Sequence, residues 1–192
     1  MVTVEVDAVR VDRRLAAGQI RCPDCDRTLR PWGWARARRL RGAGNTVVRV
    51  RPRRAMCGQC ETTHVLMPVL ALGRRADLVE VIGAALAAKA LGSGASVIAG
   101  ALGRPRDTVR GWLRRFALHA NGLRAMFTVT LVAVSPDPQT PAVAGSAFAD
   151  AVAAIVGAWL AVVGRWPVVG TVSPWHLACA VTGGRLLAPP AS

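Results

Sequence analysis

Acidic residues are scarce in this 192-residue chain, and only Asp137 and Asp150 fall within residues 125–192. A two-metal catalytic site needs several clustered carboxylates, so this segment lacks the ligands for one. The chain has only three histidines, and neither a His-Glu-x-x-His motif nor a phosphate-binding Walker loop is present. No Ser-His-Asp order with a supporting motif is found either. These absences predict a protein that binds and does not catalyse.

Lysine is nearly absent, with one Lys against 24 Arg. A GC-rich genome explains in part why arginine replaces lysine, but not why basic residues exceed acidic ones. Residues 1–124 hold 23 of the 25 basic and nine of the 11 acidic residues, a net charge of +14, whereas residues 125–192 are neutral. So large a basic excess is typical of proteins that meet a polyanion. We therefore expect residues 1–124 to be the binding half.

The apolar run of a secretory signal peptide is also missing near residue 1, because Glu5, Asp7, Arg10 and Asp12 interrupt it. We therefore expect a cytoplasmic protein with reduced thiols. In that setting disulfides are the weaker interpretation of its five cysteines.

Four of the cysteines form two Cys-x-x-Cys pairs, separated by 31 residues in the arginine-rich part of the chain. A tight turn brings the two sulfurs of each pair to one side, and a hairpin between the pairs folds the two turns together. We predict that Cys22, Cys25, Cys57 and Cys60 bind one zinc ion. The ion would be structural, since four thiolates leave no open coordination position. The alternatives are redox pairs, disulfides and unrelated buried cysteines.

Two other residues bear on this prediction. His64 follows Cys60 by four residues and is an alternative ligand if one cysteine faces away. Cys179 lies far along the chain in an apolar stretch, where we expect a buried structural thiol.

Residues 21–72 are predicted to form a zinc ribbon, because short apolar and basic runs alternate there with the period of a strand. On one face of an extended strand, the even positions from residue 30 would present two tryptophans and three arginines: Arg30, Trp32, Trp34, Arg36 and Arg38. Beyond a loop at 41–45, residues 48–53 place arginines on one face and valines on the other. The ribbon residues predicted to contact phosphates are Arg36, Arg38, Arg49, Arg51 and Arg53. The tryptophans either stack on bases or cover a small core, and the arginines otherwise offset the charge of a four-thiolate zinc.

Residues 73–121 have the pattern of a helix-turn-helix. Helices are predicted over 77–91, 95–102 and 105–119, with a turn at Gly103. The third helix would enter a major groove with Arg106, Asp107, Thr108, Arg110, Arg114 and Arg115. The rival interpretation is an ordinary three-helix bundle with a solvated basic face, in which Asp107 or Thr108 serves as a helix cap. One position departs from the motif, because Arg104 follows the turn glycine where an apolar residue is usual.

Residues 142–164 carry a single formal charge, Asp150, and are long enough to span a membrane. Alanine and glycine dominate this stretch, and a carboxylate inside a bilayer is costly. A helix that packs in a soluble core or forms a homodimer is therefore favoured, through an apolar stripe of Phe148, Val152, Ile155, Trp159 and Val162. Prolines mark a linker at 135–141, and residues 187–192 are expected to fray.

The predicted fold is mainly α-helical with a small β zinc ribbon. It divides into a lead-in helix (1–20), the zinc ribbon (21–72), the helix-turn-helix (73–121) and a neutral helical segment (122–192). The lead-in helix is predicted over residues 8–19 and ends at Gly18.

The order of several short motifs resembles a known family. The motifs are Cys-Pro-x-Cys, Trp-Gly-x-x-Arg, Arg-Arg-x-x-Cys-x-x-Cys, Thr-His-Val-Leu and Leu-Gly-Arg-Pro-x-x-Thr-Val-Arg-Gly-Trp-Leu-Arg-Arg-Phe. Together they are similar to small bacterial zinc-ribbon and helix-turn-helix proteins of unknown function, which resemble the DNA-binding N-terminal regions of insertion-sequence transposases. The resemblance covers residues 12–120 and extends to 173–175 and 182–187. It implies zinc at the four cysteines and DNA contact by residues 105–115, but no established activity.

We therefore predict a zinc-stabilised DNA-binding protein. It would be an accessory or remnant of a mobile element, or a transcriptional regulator, since the carboxylates of a transposase are missing from residues 125–192. Two alternatives remain open. One is a zinc-ribbon module that binds RNA or a protein partner, and the other is a membrane-tethered regulator.

Overall fold

The computed structural model of the chain describes residues 1–169 and 172–188. Within them the chain is mainly helical with a small amount of sheet, as the sequence predicts. The strands are β1 (Val2–Val4), β2 (Leu29–Trp34), β3 (Arg38–Arg41), β4 (Val47–Val50), β5 (Arg53–Cys57) and β6 (Thr63–Pro68). The helices are α1 (Ala8–Ala16), α2 (Val79–Ala90), α3 (Ala95–Leu102), α4 (Arg106–Val134), α5 (Ala147–Arg165) and α6 (Pro174–Val181), and a 3-10 turn spans Pro167–Val169.

The strands form two separate sheets. The larger has the order β1-β6-β5-β2, in which β1 runs parallel to β6 and the other neighbours are antiparallel. Strands β3 and β4 form an antiparallel pair of their own, which we call the basic hairpin (residues 38–50). Strand β1, which pairs Val2 with Leu66, was not predicted.

Helix α1 forms where it was predicted and covers the larger sheet. The side chain of Asp7 caps its first turn by accepting hydrogen bonds from the backbone N–H groups of Val9 and Arg10. The helix ends at Ala16, and Gly18 takes a left-handed conformation with φ 68° just beyond it. Val11 and Leu15 are buried in an apolar cluster with residues of the sheet.

Helices α2 and α3 match the predictions closely, but α4 does not. Its predicted end at residue 119 is wrong, because the helix continues to Val134. Apolar residues keep their helical spacing beyond that point, so Leu123, Phe127 and Leu131 are buried. The boundary drawn between residues 121 and 122 thus lies inside one helix, which ends only before Pro136.

Helix α5 packs beside α4 and runs in the same direction, with Phe148 next to Phe116 and Asp150 next to Arg124. The residues that it buries differ in part from the predicted stripe. Val152 and Ile155 are buried as expected, whereas Phe148, Trp159 and Val162 are only half-buried. Small residues occupy most of the buried face: Ala149, Ala151, Ala154 and Ala158. Alanines allow the two helices to approach closely, and Phe148 packs against Phe116 with ring centroids 4.7 Å apart.

The charge inside α5 has partners in this packing. Asp150 is 8% exposed, lies 3.2 Å from Arg124 of α4 and accepts a hydrogen bond of 2.6 Å from the Ala144 backbone N–H. By length and composition alone, both α4 and α5 would suffice to cross a membrane. Since buried helices of globular cores pass the same test, the preference for a soluble protein stays a prediction.

The last described residues close the helical core. Trp175 of α6 lies against Gly83 of α2, where a Cβ atom would stand 2.1 Å from the indole. Leu186 and Leu187 are buried, so the expectation that the chain frays from residue 187 is wrong at that residue. Residues 189–192, the rest of that expectation, lie outside the described part of the chain.

Candidate metal centre and nucleic-acid interface

Two matching turns carry the four cysteines. In the first, the backbone N–H of Asp26 donates to the Cys22 carbonyl, and the Cys22 N–H donates to the Arg27 carbonyl. In the second, the Cys57 N–H donates to the Thr62 carbonyl. The residue after the second cysteine is left-handed in both turns, with φ 55° at Asp26 and φ 54° at Glu61. Although the sequence indicated two turns, it did not indicate these two positions.

The sulfurs of the two turns meet in one cluster. All four lie within 4.8 Å of one another, which confirms the predicted grouping of Cys22, Cys25, Cys57 and Cys60. The distance is 3.7 Å from Cys22 to Cys60, 3.4 Å from Cys25 to Cys57 and 3.8 Å from Cys25 to Cys60. Zinc–sulfur bonds of about 2.3 Å in a tetrahedron place the sulfurs about 3.8 Å apart. The cluster is therefore compatible with one four-coordinate structural metal ion.

Local hydrogen bonds divide these thiols by acidity. The backbone N–H groups of Cys60 and Gln59 lower the pKa of Cys57 to about 6. At Cys25 the Arg27 backbone N–H lowers the pKa, but hydrogen bonding with the Cys57 thiol, burial and the other sulfurs outweigh it and raise the pKa to about 12. Burial raises the pKa of Cys22. One thiolate therefore forms readily near neutral pH, whereas a metal must displace protons from Cys22 and Cys25.

His64 lies beside the cluster. Its Nε2 atom is 3.5 Å from Cys22 Sγ and 3.7 Å from the Asp24 carboxylate, and burial lowers the pKa of its imidazole. Cys22, Asp24 and His64 form a second group of potential ligands. Because the four sulfurs already complete a tetrahedron, we interpret the imidazole as a hydrogen-bond partner of Cys22, and its substitution as a ligand remains an alternative.

Two nucleophilic side chains outside the cluster, Cys179 and Ser173, have identifiable partners or surroundings. Cys179 is buried as predicted, and burial raises the pKa of its thiol to about 12. The Ser173 hydroxyl donates to Glu80 and caps α6, where it accepts from the His176 backbone N–H. The His176 imidazole also faces Glu80, at 3.4 Å. The serine is thus bound to the acid and not to the imidazole that would have to activate it.

The basic hairpin has an apolar face and an arginine face. Leu40 is buried opposite Val48, and the next pair on the other face is Arg39 opposite Arg49. Arg41 shares the face of Arg39, because side chains alternate along a strand. Arg39 and Arg41 were not among the predicted contact residues. The apolar alternation of Leu40, Val48 and Val50 was the signal that would have located the arginine face.

The predicted single face of even positions from 30 to 38 does not form. Strand β2 ends at Trp34 after a break in its pairing near Gly33, and β3 starts a different sheet. The structure therefore separates Arg30, Trp32 and Trp34 from Arg38, which lies on the Leu40 face of the hairpin. Arg36 lies between the two strands, and both arginines are exposed.

Arg49 is exposed on the arginine face as predicted, but two other predicted contacts have partners within the chain. Arg53 is 2.8 Å from Asp12 and lies over the Trp34 ring at 4.3 Å from its centroid. Arg51 lies over the same ring at 5.6 Å. Neither tryptophan is buried, since Trp32 is 53% exposed and Trp34 42% exposed. Whether they stack on bases or cover a small core stays a prediction.

The first turns of α4 present the predicted basic face. Arg106, Asp107, Arg110 and Arg114 are exposed, while Val109 and Trp112 are buried on the opposite side as expected. Thr108 and Arg115 are half-buried. No side chain caps the helix at its start, so the capping role weighed for Asp107 and Thr108 is not used.

Within this face some of the charges have partners. Arg110 is 3.6 Å from Asp107, and Arg115 donates to the Gly111 carbonyl at 3.1 Å. Arg106 and Arg114 make no ion pair with a described acidic residue, which leaves their charge free for another anion. Burial lowers the pKa of Arg75, and the nearby positive charge of Arg115 lowers it further.

The turn before α4 explains why Arg104 can stand where a helix-turn-helix usually has an apolar residue. Gly103 takes φ 59° and ψ 43°, so a residue without a Cβ suits the position. The Arg104 side chain is only 6% exposed and pairs with buried Asp77 at 2.7 Å. An arginine is accommodated here because a carboxylate accompanies it.

No protein-family model, curated protein or solved structure matches this chain. The resemblance to zinc-ribbon and helix-turn-helix proteins therefore stays a prediction that rests on the motifs of the sequence.

Proposed function

We propose that this protein binds duplex DNA without catalysing a reaction, and that one zinc ion stabilises its N-terminal sheet. The observation that carries the proposal is the exposed arginine face of α4, directly after the Gly103 turn. Arginine at the start of such a helix suits both guanine edges and phosphates in a major groove. Helices α3 and α4 then act as a helix-turn-helix, and the sheet around the cysteines acts as a zinc ribbon.

Zinc is the metal that the ligand set favours. Four thiolates in a tetrahedron suit Zn²⁺, and such closed sites are structural. Metal analysis of the purified protein should give about one zinc per chain. Cobalt substitution provides a second test, because tetrahedral thiolate coordination gives intense absorption that a cluster without metal would lack.

Selection of sequences from random duplex DNA, with and without a zinc chelator, tests binding, specificity and metal dependence together. We expect enriched sequences and salt-sensitive binding. Replacing Arg106, Arg110 and Arg114 by Ala should remove the enrichment. A control with the same change of charge replaces Arg13, Arg165 and Arg185, which are exposed elsewhere. Unchanged affinity in the α4 variant would refute the assignment of this helix.

A second function is favoured by the exposed tryptophans. Trp32 and Trp34 lie next to arginines on the sheet, and indoles beside guanidiniums provide a stacking surface for single-stranded nucleic acid. If single-stranded RNA outcompetes duplex DNA at equal salt, and Trp32→Ala weakens that binding, the sheet is an RNA-binding module and the helices are its scaffold. Loss of RNA binding in the α4 variant alone would argue against this function.

Biological setting and location follow from the same proposal. A DNA-binding protein without a catalytic site would act as a transcriptional regulator or as an accessory or remnant of a mobile element. We place it in the cytoplasm. Cell fractionation tests the alternative of a membrane-tethered regulator, which would require the protein in the membrane fraction.

A further inference from the structure

A buried carboxylate joins the basic hairpin to the turn before α4. Asp77 is 2% exposed and holds two guanidiniums, with Arg104 Nε at 2.7 Å and Arg41 Nη2 at 2.8 Å. Arg104 Nη2 also donates to the Gly42 carbonyl at 2.5 Å. We call these residues (Arg41, Gly42, Asp77 and Arg104) the Asp77 network. One carboxylate thus links the hairpin to the end of α3.

The network fixes both of the parts that it joins. Arg104 Nη1 donates to the carbonyls of Leu102 and Gly103, at 3.1 and 3.2 Å, so the guanidinium is tied to the turn itself. On the hairpin side, the Arg41 backbone N–H donates to the Ala76 carbonyl at 2.8 Å. Planar guanidiniums bound at several atoms restrict orientation as well as distance. The hairpin and the start of α4 are therefore held in one relative position.

Each of the two parts carries arginines whose charge the fold does not neutralise. Arg39 stands directly opposite Arg49 in the hairpin, and like charges in this position destabilise a strand pair. Neither makes an ion pair with an acidic residue in the described ranges. The same holds for Arg106 and Arg114 on α4. Two basic surfaces with this excess of charge, on either side of a rigid link, fit an extended polyanion.

We propose that the basic hairpin and the first turns of α4 bind the same DNA duplex, and that Asp77 and Arg104 are positioning residues for this joint contact. The inference rests on the proposed function. Helix α4 occupies a major groove, while Arg39 and Arg49 contact phosphates of the adjacent backbone. Phosphate contacts of this kind set the position of a reading helix on the duplex.

The test uses the full-length, metal-loaded protein and a random-sequence DNA duplex, with affinity measured over a range of salt concentrations. Arg39→Ala combined with Arg49→Ala should lower the salt slope by about 2, since each lost phosphate contact removes about 0.9. Asp77→Asn should give most of the same decrease, although residue 77 itself contacts no DNA. Adding the two arginine substitutions to Asp77→Asn should then change little.

Asp150→Asn is the matched control, because Asp150 is also buried and paired with an arginine but belongs to the helical region. It should leave the salt slope unchanged. If Asp77→Asn does not fold, as judged by circular dichroism and metal content, Arg104→Lys replaces it. Lysine keeps the positive charge but lacks the planar guanidinium that binds several acceptors at once.

Two results would overturn the inference in different ways. If the arginine pair contributes as much in the Asp77→Asn protein as in the wild type, the parts act independently, and DNA binding by α4 still stands. If the wild-type protein shows no salt-dependent binding to the duplex, the proposed function fails and the joint contact fails with it.

Discussion

The sheet region (residues 1–72) and the helical region (residues 73–188) differ in the size of their apolar cores. Among the described residues, the apolar cluster beneath the cysteines contains nine buried residues, two of them cysteines of the candidate metal centre. The helical cluster contains 26. A small apolar core needs a metal or similar link, whereas a large one does not. The comparison shows how a chain can expose so many arginines in one region without losing its fold.

Removal of the metal should have the largest effect, and it should affect the sheet region alone. Structural zinc contributes on the order of 10 kcal/mol to small metal-stabilised folds. A chelator, or Cys57→Ser, should therefore expose residues 21–72 to proteolysis while the helical circular dichroism remains. Cys179→Ala is the control and should keep the metal. Simultaneous loss of all helical signal would show that the two regions do not differ in this way.

The reverse experiment disturbs the helical region and spares the metal. In Gly83→Ala the added Cβ would stand 2.1 Å from Trp175, so α2 and α6 must move apart. Overpacking of this kind costs about 1–3 kcal/mol. Thermal unfolding should show a lower Tm with unchanged zinc content.

A second glycine provides the control for that variant. Gly100, on the exposed side of α3, has no atom within 4 Å of an added Cβ. Gly100→Ala should stabilise the protein by about 0.5–1 kcal/mol, because alanine is the better helix former. Equal destabilisation by both substitutions would contradict the packing argument.

Thiol reactivity distinguishes the two regions without mutation. Burial raises the pKa of Cys179 to about 12, above the ordinary value of 9.0, so this thiol is protonated at pH 8 and unreactive. A thiol reagent at pH 8 should label few thiols in the metal-loaded protein. After chelation it should label the four cluster cysteines, because residues 21–72 then unfold and the raised pKa values of Cys22 and Cys25 are lost. Cys179 should react only after denaturation. Early labelling of Cys179 would indicate that the helical core opens readily.

The smallest effect is expected for the ion pair between α1 and β5. Asp12 and Arg53 are 2.8 Å apart, with 42% and 19% of their side chains exposed. Pairs of this exposure contribute at most about 1 kcal/mol. Asp12→Ala should lower the free energy of unfolding by less than this and leave zinc binding intact, as denaturant titration would show. A larger loss would mean that α1 is a main support of the sheet.

Local patterns in the sequence predicted much of this structure. Cysteine spacing located the cluster of four cysteines, and apolar periodicity located α1, α2, α3 and the start of α4. Glycine at 103 indicated the turn. Each of these features depends on residues close together in the chain, where spacing alone determines geometry.

Features that depend on long-range contacts were not predicted. The partner of Arg104 is Asp77, 27 residues earlier, and nothing in the local sequence indicates their pairing. Arg39 lies opposite Arg49 in only one strand register, and predicting that register requires the correct position of the hairpin loop. The end of α4 was misplaced because its second half is apolar on the side that α5 covers.

The parallel pairing of β1 with β6 affects the order of events during folding. Residues 2–4 have no sheet partner until residues 66–68 are available, so the ribosome must release the whole sheet region before its first strand can pair. Contacts between such distant residues slow folding. The earliest strand to be synthesised is therefore among the last to be incorporated, and its neighbours must remain soluble until then.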